Sequence, residues 1–500
     1  MKRPDRLAVG RVVATWWLPT VIACAVGALY VFYSVAQWRA LVVPSWDLGI
    51  FAEAVQAYSR FEAPIVPIKG PGYNLLGDHF HPILALLGPV YRLFPSALTL
   101  LVVQDVLIAA SVVPVARLAQ RLLGRGGALL VGLVYGLGWG LQGAVGAQFH
   151  EVCVAVPLLA LGGVAFVERR WGACMAWLAP LVLVKEDLGL TVFMAGLAIT
   201  WRGRGEGRPA VLRGLAYALF GIVAFVVTVK LLLPAMNPAG TWAYSLDGSA
   251  TGAGTPMGGS TAAREVPSLW DILTTPSVKL VTLLVLLAGA GFVGASSPWF
   301  ALVLPTLAWR FAGSVDTYYV WDSWHYNAVL VPIAACSLLD VINRWLAPER
   351  AAAGDDADSE DDAPASPTRG RHAGAWAVAC VPALSLAITA SSLPLWQLST
   401  LTEDPRMAAA QGALDAVPVG ASVETDTTLL ARLVPGREVY WVGTTGKMET
   451  PPEYVVIDVR SYAWGGHQVD AESWASAAHP GHTYETIYSK AGFRVARRTS

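Results

Sequence analysis

Charged residues are scarce in this chain: Asp, Glu, Lys and Arg make up 14% of 500 residues, with a formal net charge of −1. That balance gives no reason to expect nucleic acid as a partner. Hydrophobic residues account for 55%, and the mean hydropathy is +0.49. Several apolar runs approach the roughly 20 residues that cross a bilayer core. The composition therefore predicts an all-α polytopic protein that lies in the lipid bilayer of the cell membrane.

Cysteine is also rare, and the five cysteines lack the CxxC spacing of a redox or zinc site. All fall inside apolar segments, where Cys behaves as a small buried hydrophobe: Cys24, Cys153, Cys174, Cys336 and Cys380. The P-loop, the Rossmann glycine pattern, the GxSxG motif and zinc-finger spacings are absent as well. The sequence therefore predicts neither disulfides nor one of the common soluble nucleotide or hydrolase sites.

Basic residues set the orientation of the predicted spans. Four of them precede the first apolar run, so the positive-inside rule places the N-terminus in the cytoplasm: Lys2, Arg3, Arg6 and Arg11. That run lacks a small-residue cleavage site, and we expect a retained helix. Arginine clusters recur in every second loop, while acid–histidine clusters fall in the alternate loops. The pattern predicts about eleven spans, at residues 12–37, 98–123, 128–142, 152–167, 172–184, 188–201, 215–234, 278–294, 298–311, 328–345 and 373–395.

The same pattern divides the chain into four parts. Residues 1–348 form a transmembrane domain whose first outer loop covers 38–96. An acidic, low-complexity linker at 349–372 cannot bury a core and is predicted to be disordered in the cytoplasm. The last span then leads to residues 396–500, which are less apolar and contain strand-like runs. We expect a small extracytoplasmic α/β domain there.

Asp47 is the first polar group of interest in the outer loop. An ionisable side chain beside lipid is costly unless it is paired, hydrated or used. A carboxylate at the mouth of a helix bundle can act as a general base toward an acceptor hydroxyl. Alternatively, Asp47 caps a short helix that begins at the following apolar turn. Spacing alone favours the cap and leaves both interpretations open.

His79 and His81 alternate, so they point the same way in an extended segment, with Asp78 beside them. Paired imidazoles suit metal binding, phosphate contact or proton transfer. They are equally typical of an interfacial turn bounded by Pro82. A metal site needs further ligands, for which the candidates are His150, Glu151, Glu186 and His325.

Lys185, Glu186 and Asp187 interrupt two apolar runs where charges are expensive. Lys185 suits phosphate, because lysine is a point charge, and the two acids suit a sugar hydroxyl or a cation. The alternative is a hydrated hairpin cap in which Lys185 pairs with a carboxylate. His325 follows several aromatic residues, which are ordinary at a membrane interface.

Four motifs together resemble a bacterial family of predicted membrane proteins, catalogued as domain of unknown function 2079: residues 46–51 (WDLGIF), 77–82 (GDHFHP), 149–151 (FHE) and 185–187 (KED). The resemblance covers about residues 40–345. That family is related to the GT-C class of membrane glycosyltransferases, which use polyprenyl-phosphate sugars and place an acidic residue in the first outer loop. Asp47 matches that residue. Because a single Asp stands where some GT-C enzymes have an acidic pair, no cofactor is assigned and a divalent metal stays open.

The resemblance implies transfer of a sugar from a polyprenyl-phosphate donor to an envelope glycan, lipid or protein at the outer face. Such a transfer develops positive charge on the sugar ring and negative charge on the departing phosphate. We therefore predict that Asp47 is the catalytic base. The predicted substrate-binding residues are Asp78, His79, His81, His150, Glu151, Lys185, Glu186, Asp187 and His325.

Two other functions compete with this interpretation. A transporter should place polar groups near the bilayer midplane, often on broken helices or within an inverted repeat. Here the ionisable residues gather at one face and no internal repeat is visible, although Asp105 and Lys230 are exceptions. The third alternative is a non-catalytic envelope protein whose outer domain binds a partner. Intact function after Asp47→Asn would favour it.

Overall fold

The fold is mostly helical, with one small sheet near the C-terminus. The computed structural model describes residues 6–237, 268–313, 315–355, 368–446 and 448–500. The α-helices in these ranges are α1 (Arg6–Arg39), α2 (Asp47–Ser59), α3 (Gly88–Leu93), α4 (Ala97–Gly136), α5 (Trp139–Gly146), α6 (Val152–Val167), α7 (Trp171–Leu178), α8 (Leu188–Gly203), α9 (Arg208–Val227), α10 (Leu233–Met236), α11 (Leu269–Thr274), α12 (Val278–Gly289), α13 (Leu304–Ala312), α14 (Leu330–Asp355), α15 (Thr368–Thr389), α16 (Met407–Asp415), α17 (Thr427–Leu433) and α18 (Ala471–Ala478).

Several helical stretches have the length and apolarity of membrane spans. Within the described residues five of them qualify: Trp16–Arg39, Ala97–Gly146, Arg208–Met236, His325–Ala347 and Gly370–Thr400. Shorter apolar helical stretches cover Pro82–Leu93, Val152–Val167, Trp171–Leu183 and Val278–Gly289. The chain therefore has the helical, apolar architecture predicted from composition, while the count of eleven spans stays a prediction.

Glycine residues allow α4 to bend and α8 and α9 to pack closely together. Gly124 interrupts α4 with φ 73° and ψ −168°, a backbone conformation that costs glycine little, between the spans predicted at 98–123 and 128–142. Helices α8 and α9 pack closely through small residues. A Cβ on Gly196 would lie 2.3 Å from the backbone nitrogen of Ala218, and one on Gly221 would lie 2.4 Å from that of Phe193. Such close helix approach is typical of membrane proteins.

The segment predicted as a linker is helical at both ends. Helix α14 continues to Asp355 and α15 begins at Thr368, so each overlaps the predicted range of 349–372. Residues 356–367 lie outside the described part of the chain.

A five-stranded sheet forms the core of the C-terminal domain. Its strands are β1 (Ser422–Thr425), β2 (Glu438–Trp441), β3 (Tyr454–Asp458), β4 (Tyr484–Lys490) and β5 (Phe493–Arg498). Their spatial order is β2-β1-β3-β5-β4. Strands β2, β1 and β3 are parallel, whereas β5 pairs antiparallel with both β3 and β4. The small α/β domain predicted from the two strand-like runs is therefore present.

Helix α2 lies between the membrane helices and this C-terminal domain. It is buried from residue 48 to residue 57, and one apolar core joins it to α16, α17 and the sheet. The buried Glu53 carboxylate accepts backbone hydrogen bonds from Ile68 (3.1 Å) and from Val439 in β2 (3.2 Å). The C-terminal domain thus fixes the helix that begins with Asp47.

Candidate functional site

Asp47 is the first residue of α2, and its carboxylate faces the start of α6. Its Oδ2 accepts a hydrogen bond from Ser45 Oγ (2.7 Å) and lies 3.4 Å from His150 Nε2. Burial raises the pKa of Asp47, but the hydrogen bond and charge of His150 outweigh burial and lower it. The cap interpretation is wrong, because Trp46 holds the capping position and Asp47 already lies inside the helix. The Asp47 side chain stays 30% exposed, so it can meet a substrate.

Two further predicted histidines, His325 and His81, lie near His150 through ring contacts. The His150 and His325 rings stack with centroids 3.6 Å apart, and Phe51 packs edge-on against both His150 and His81. His81 is buried, and neither of its ring nitrogens has a hydrogen-bond partner among the described residues. Burial lowers the pKa of His81 to about 4. It is therefore a neutral imidazole at neutral pH, with a donor and an acceptor to offer a ligand.

Lys185 and Glu151 form a buried ion pair next to His150. Lys185 Nζ lies 2.9 Å from Glu151 Oε1, and the side chains are 11% and 3% exposed. Burial raises the pKa of Glu151, but the charge of Lys185 together with those of the neighbouring histidines outweighs burial, and the pKa falls to about 2. Lys185 does pair with a carboxylate, as the hairpin-cap alternative requires, but that carboxylate precedes α6 rather than lying in the hairpin, and the pair is buried rather than hydrated.

Glu186, the residue after Lys185, contacts the segment that contains His79 and His81. Its Oε1 lies 2.9 Å from His79 Nδ1, and its Oε2 accepts the backbone N–H of Phe80 (3.1 Å). Burial lowers the pKa of His79, but Glu186 outweighs burial and raises it. Asp78 forms an ion pair with Lys69 of the same outer loop. The pKa values of His79 and His81 are therefore shifted in opposite directions, although the two histidines are two residues apart.

Asp187 lines a cavity on the side of α8 and α13. Its Oδ2 accepts a hydrogen bond from Trp309 Nε1 (2.9 Å), and burial raises its pKa to about 6. Lys185 and His325 also line this cavity. The remaining lining residues are Val152, Leu188, Thr306, Trp309, Tyr326 and Val329. The cavity therefore has a polar end, at Lys185, Asp187 and His325, and an apolar wall.

The structure brings the predicted residues into one connected cluster. Asp47, His150 and His325 make up one part, and Glu151 with Lys185 continues it toward the cavity; His79 and Glu186 adjoin Lys185. Asp78 lies at the edge, paired with Lys69. Across the described ranges, no group of three or more His, Cys, Asp or Glu side chains is arranged to hold a metal ion.

Comparison with known protein families identifies the family of this chain. The family described as "Predicted membrane protein (DUF2079)" matches residues 38–495. The chain belongs to the DUF2079 family. The resemblance drawn from the four motifs is therefore confirmed, and the match continues past residue 345 into the C-terminal domain. No curated protein gives a significant match.

Solved structures similar to this DUF2079 chain are GT-C glycosyltransferases. ArnT from Cupriavidus metallidurans bound to undecaprenyl phosphate is similar with a TM-score of 0.50 at 14% identity, covering 95% of this chain and 97% of that one. Arabinofuranosyltransferase AftD from Mycobacteria matches at TM-score 0.45 and 14% identity, covering 95% and 39%. An Archaeoglobus fulgidus oligosaccharyltransferase tethered with an acceptor peptide matches at 0.41 and 13%, covering 96% and 74%. The ArnT similarity establishes a GT-C-like fold.

The site of this DUF2079 protein contains polar groups that the motifs did not reveal. Gln104 of α4 accepts the backbone N–H of His150 (3.1 Å) and donates to the carbonyl of Gln148 (3.0 Å). Arg310 of α13 is fully buried and donates to the carbonyl of Tyr318 (2.8 Å). A signal for both was available, because a polar side chain within an apolar run is expensive unless it is used.

Proposed function

We propose that this protein is an integral membrane glycosyltransferase that moves a sugar from a polyprenyl-phosphate donor to an acceptor at the outer face of the membrane. One observation carries the proposal: the accessible Asp47 carboxylate lies 3.4 Å from His150. The residue after His150 is Glu151, whose carboxylate pairs with the buried cation Lys185. A base and a cation are the two groups that sugar transfer from a phosphate needs. The GT-C-like fold and the undecaprenyl phosphate of the ArnT structure support the donor class.

Asp47 serves as the general base in this proposal. The acceptor hydroxyl oxygen forms a bond to the anomeric carbon of the sugar, and its proton passes to the Asp47 carboxylate. The bond between that carbon and the phosphate oxygen breaks, and polyprenyl phosphate leaves with the electron pair. His150 and Ser45 orient the carboxylate through the contacts described above.

The donor phosphate lies beside Lys185 and His325, in the cavity that both residues line. Lys185 already has an anionic partner in Glu151, but an ammonium carries three donors, so it can contact a phosphate as well. His79 is the second group proposed to contact the phosphate, because Glu186 raises its pKa and so favours the imidazolium form. Both groups act on the negative charge that develops on the leaving phosphate.

The polyprenyl tail leaves this cavity along its apolar wall, between α8 and α13. A second, more apolar groove lies among α4, α12, α14 and α15, lined in part by Val331, Ala335 and Leu338. The second groove lacks Lys185 and His325, the side chains proposed to hold the donor phosphate, so we place the tail at the first cavity.

The proposed topology has eleven spans, with the N-terminus in the cytoplasm and the C-terminal domain outside. The contacts support this arrangement on one point. The first outer loop packs against the C-terminal domain through α2, so both are on the same side of the membrane. The acceptor then reaches Asp47 from outside the cell.

The proposal is tested by purifying the protein in lipid nanodiscs and supplying a panel of polyprenyl-phosphate sugars. We expect the wild type to release polyprenyl phosphate from one donor. Asp47→Asn keeps the size of the side chain but not its basicity, and we expect turnover to fall about 100-fold or more. Donor binding should change little, because Asp47 contacts the acceptor.

Asp415→Asn is the matched control, because Asp415 is an acid of the C-terminal domain whose side chain accepts a hydrogen bond from Gln411 and lies outside the candidate site. It should turn over donor like the wild type. If no donor binds or reacts with the wild type, the enzyme proposal fails. Full turnover by Asp47→Asn would remove Asp47 from the mechanism.

A further inference from the structure

The parallel strands of the C-terminal domain end at one edge of the sheet, close to Asp47. Strand β1 pairs in parallel with β2 on one side and β3 on the other. The chain therefore connects β1 to β2 on one side, and from β2 it crosses over β1 to reach β3 on the other side. In open α/β sheets, ligands bind outside the carboxyl ends of the strands at such a switch point. That position here lies between the ends of β1 and β3.

Side chains from both strand ends hold this edge in a defined shape. Thr427 Oγ1 and Ser461 Oγ are 3.0 Å apart and join the two connections. Asp426 Oδ2 accepts the backbone N–H of Asp458 (2.6 Å) and the indole N–H of Trp464 (3.1 Å). The edge is therefore formed before any ligand arrives, which reduces the entropy lost on binding.

Aromatic residues connect this edge to the candidate base. Trp441 at the end of β2 packs edge-on against Trp46, the residue before Asp47, with ring centroids 5.5 Å apart. Tyr462 follows β3 and is 61% exposed. The Tyr462 ring is therefore available to a ligand at the carboxyl edge of the sheet.

We infer that the carboxyl edge of the sheet, with Tyr462 and Trp441 above Asp47, is the acceptor-binding surface, and that the acceptor is a glycan. The inference rests on the proposed transferase function and adds the acceptor class to it. A sugar ring presents apolar C–H faces together with a rim of hydroxyls. Aromatic residues with a polar group suit such a surface, and the exposed Tyr462 carries both a ring and a hydroxyl. Asp47 then meets the hydroxyl that reacts.

Binding of an unreactive acceptor probe tests this inference separately from catalysis. Maltotetraose, mannotetraose and an arabinose tetrasaccharide are added to the full chain in nanodiscs, and saturation-transfer NMR reports their binding. We expect one of them to bind the wild type. Tyr462→Ala should weaken that binding about tenfold, whereas Tyr462→Phe should retain most of it because the ring remains.

Val419→Ala is the control, because Val419 is 77% exposed and precedes the amino end of β1; it should bind the tetrasaccharide like the wild type. Native mass spectrometry should show that Tyr462→Ala keeps its affinity for polyprenyl phosphate, and its unfolding midpoint should match the wild type. The inference is overturned if the wild type binds none of the tetrasaccharides or if Tyr462→Ala binds them unchanged. Failure of the transferase proposal is a different result, since then no donor binds or reacts.

Discussion

At the scale of single residues, the surroundings of His79 and His81 determine their pKa values. His79 and His81 alternate, and their spacing predicts a matched pair. The structure shifts their pKa values in opposite directions instead. Burial lowers the pKa of His81 to about 4, while Glu186 outweighs burial at His79 and raises its pKa. We therefore assign the neutral imidazole of His81 to hydrogen bonding and the imidazole with the raised pKa to phosphate.

This assignment predicts how donor binding depends on pH. The charged groups that act on His79 are Glu186, Asp78 and Lys185. A raised pKa means that the imidazolium and its ion pair persist below that pKa and are lost as the pH rises through it. Polyprenyl phosphate should therefore bind more weakly as the pH rises through the raised pKa of His79.

Glu186→Gln removes the group that raises the pKa of His79 most. We expect the loss of affinity to occur at lower pH in this variant, and native mass spectrometry across a pH series measures it. His467→Gln is the control, because His467 is an exposed histidine of the C-terminal domain. Identical pH profiles for Glu186→Gln and the wild type would rule out His79 as the titrating group.

At the scale of elements, the close packing of α8 and α9 depends on glycines. A Cβ on Gly196 would lie 2.3 Å from the backbone nitrogen of Ala218, and backbone cannot move aside as a flexible side chain can. Gly196→Ala should therefore destabilise the protein by about 1–3 kcal/mol through overpacking. Thermal unfolding in detergent, followed by circular dichroism, measures the loss.

Gly374→Ala in α15 is the matched substitution, because a Cβ there meets no described atom within 4 Å. It should be neutral or stabilise the helix by up to about 1 kcal/mol, since alanine favours a helix more than glycine does. Equal unfolding midpoints for the two variants would contradict the packing argument.

Helix positions could be predicted from the sequence, whereas the contacts between segments could not. The span predicted at 152–167 is α6, because charges bound a continuous apolar run. The ion pair of Lys185 with Glu151 joins residues 34 positions apart, and that of His79 with Glu186 joins residues 107 apart. Periodicity carries no information about such pairs. Strands β1, β4 and β5 were not predicted either, whereas the apolar runs of β2 and β3 were recognised.

The contact between α2 and the C-terminal domain was not predicted either, although a signal existed. Helix α2 is apolar on nearly all sides, and such a helix must be buried. A loop that contains such a helix therefore has to pack against another part of the chain. The sequence does not identify that part, because it lies more than 350 positions later. An example is Val439, whose backbone N–H donates to Glu53.

At the scale of the whole molecule, the contacts of the C-terminal domain restrict the topology. Arg432 of α17 donates to the carbonyl of Trp38, and the N–H of Asp404 donates to that of Arg39 (3.0 Å). Both partners lie at the end of α1. The domain and the outer end of α1 are therefore on one side of the membrane, and the orientation of α1 decides which side that is.

Helix α8 gives a marker for the opposite side. It begins next to the candidate site at Asp187 and has 16 residues, which at 1.5 Å per residue extend about 24 Å. The exposed turn that follows contains Gly205 and several arginines. The positive-inside rule predicts that this turn is cytoplasmic.

Cysteine labelling in intact cells tests the arrangement. We expect Val419→Cys to react with a membrane-impermeant maleimide in intact cells and Gly205→Cys to react only after permeabilisation. The wild type is the blank, because Cys24 and Cys380 lie on apolar spans and the other three cysteines are buried. Labelling of both variants from the same side would contradict the fold, since α8 would not then cross. The reverse pattern would keep the fold but place Asp47 in the cytoplasm, where an outer-face acceptor cannot reach it.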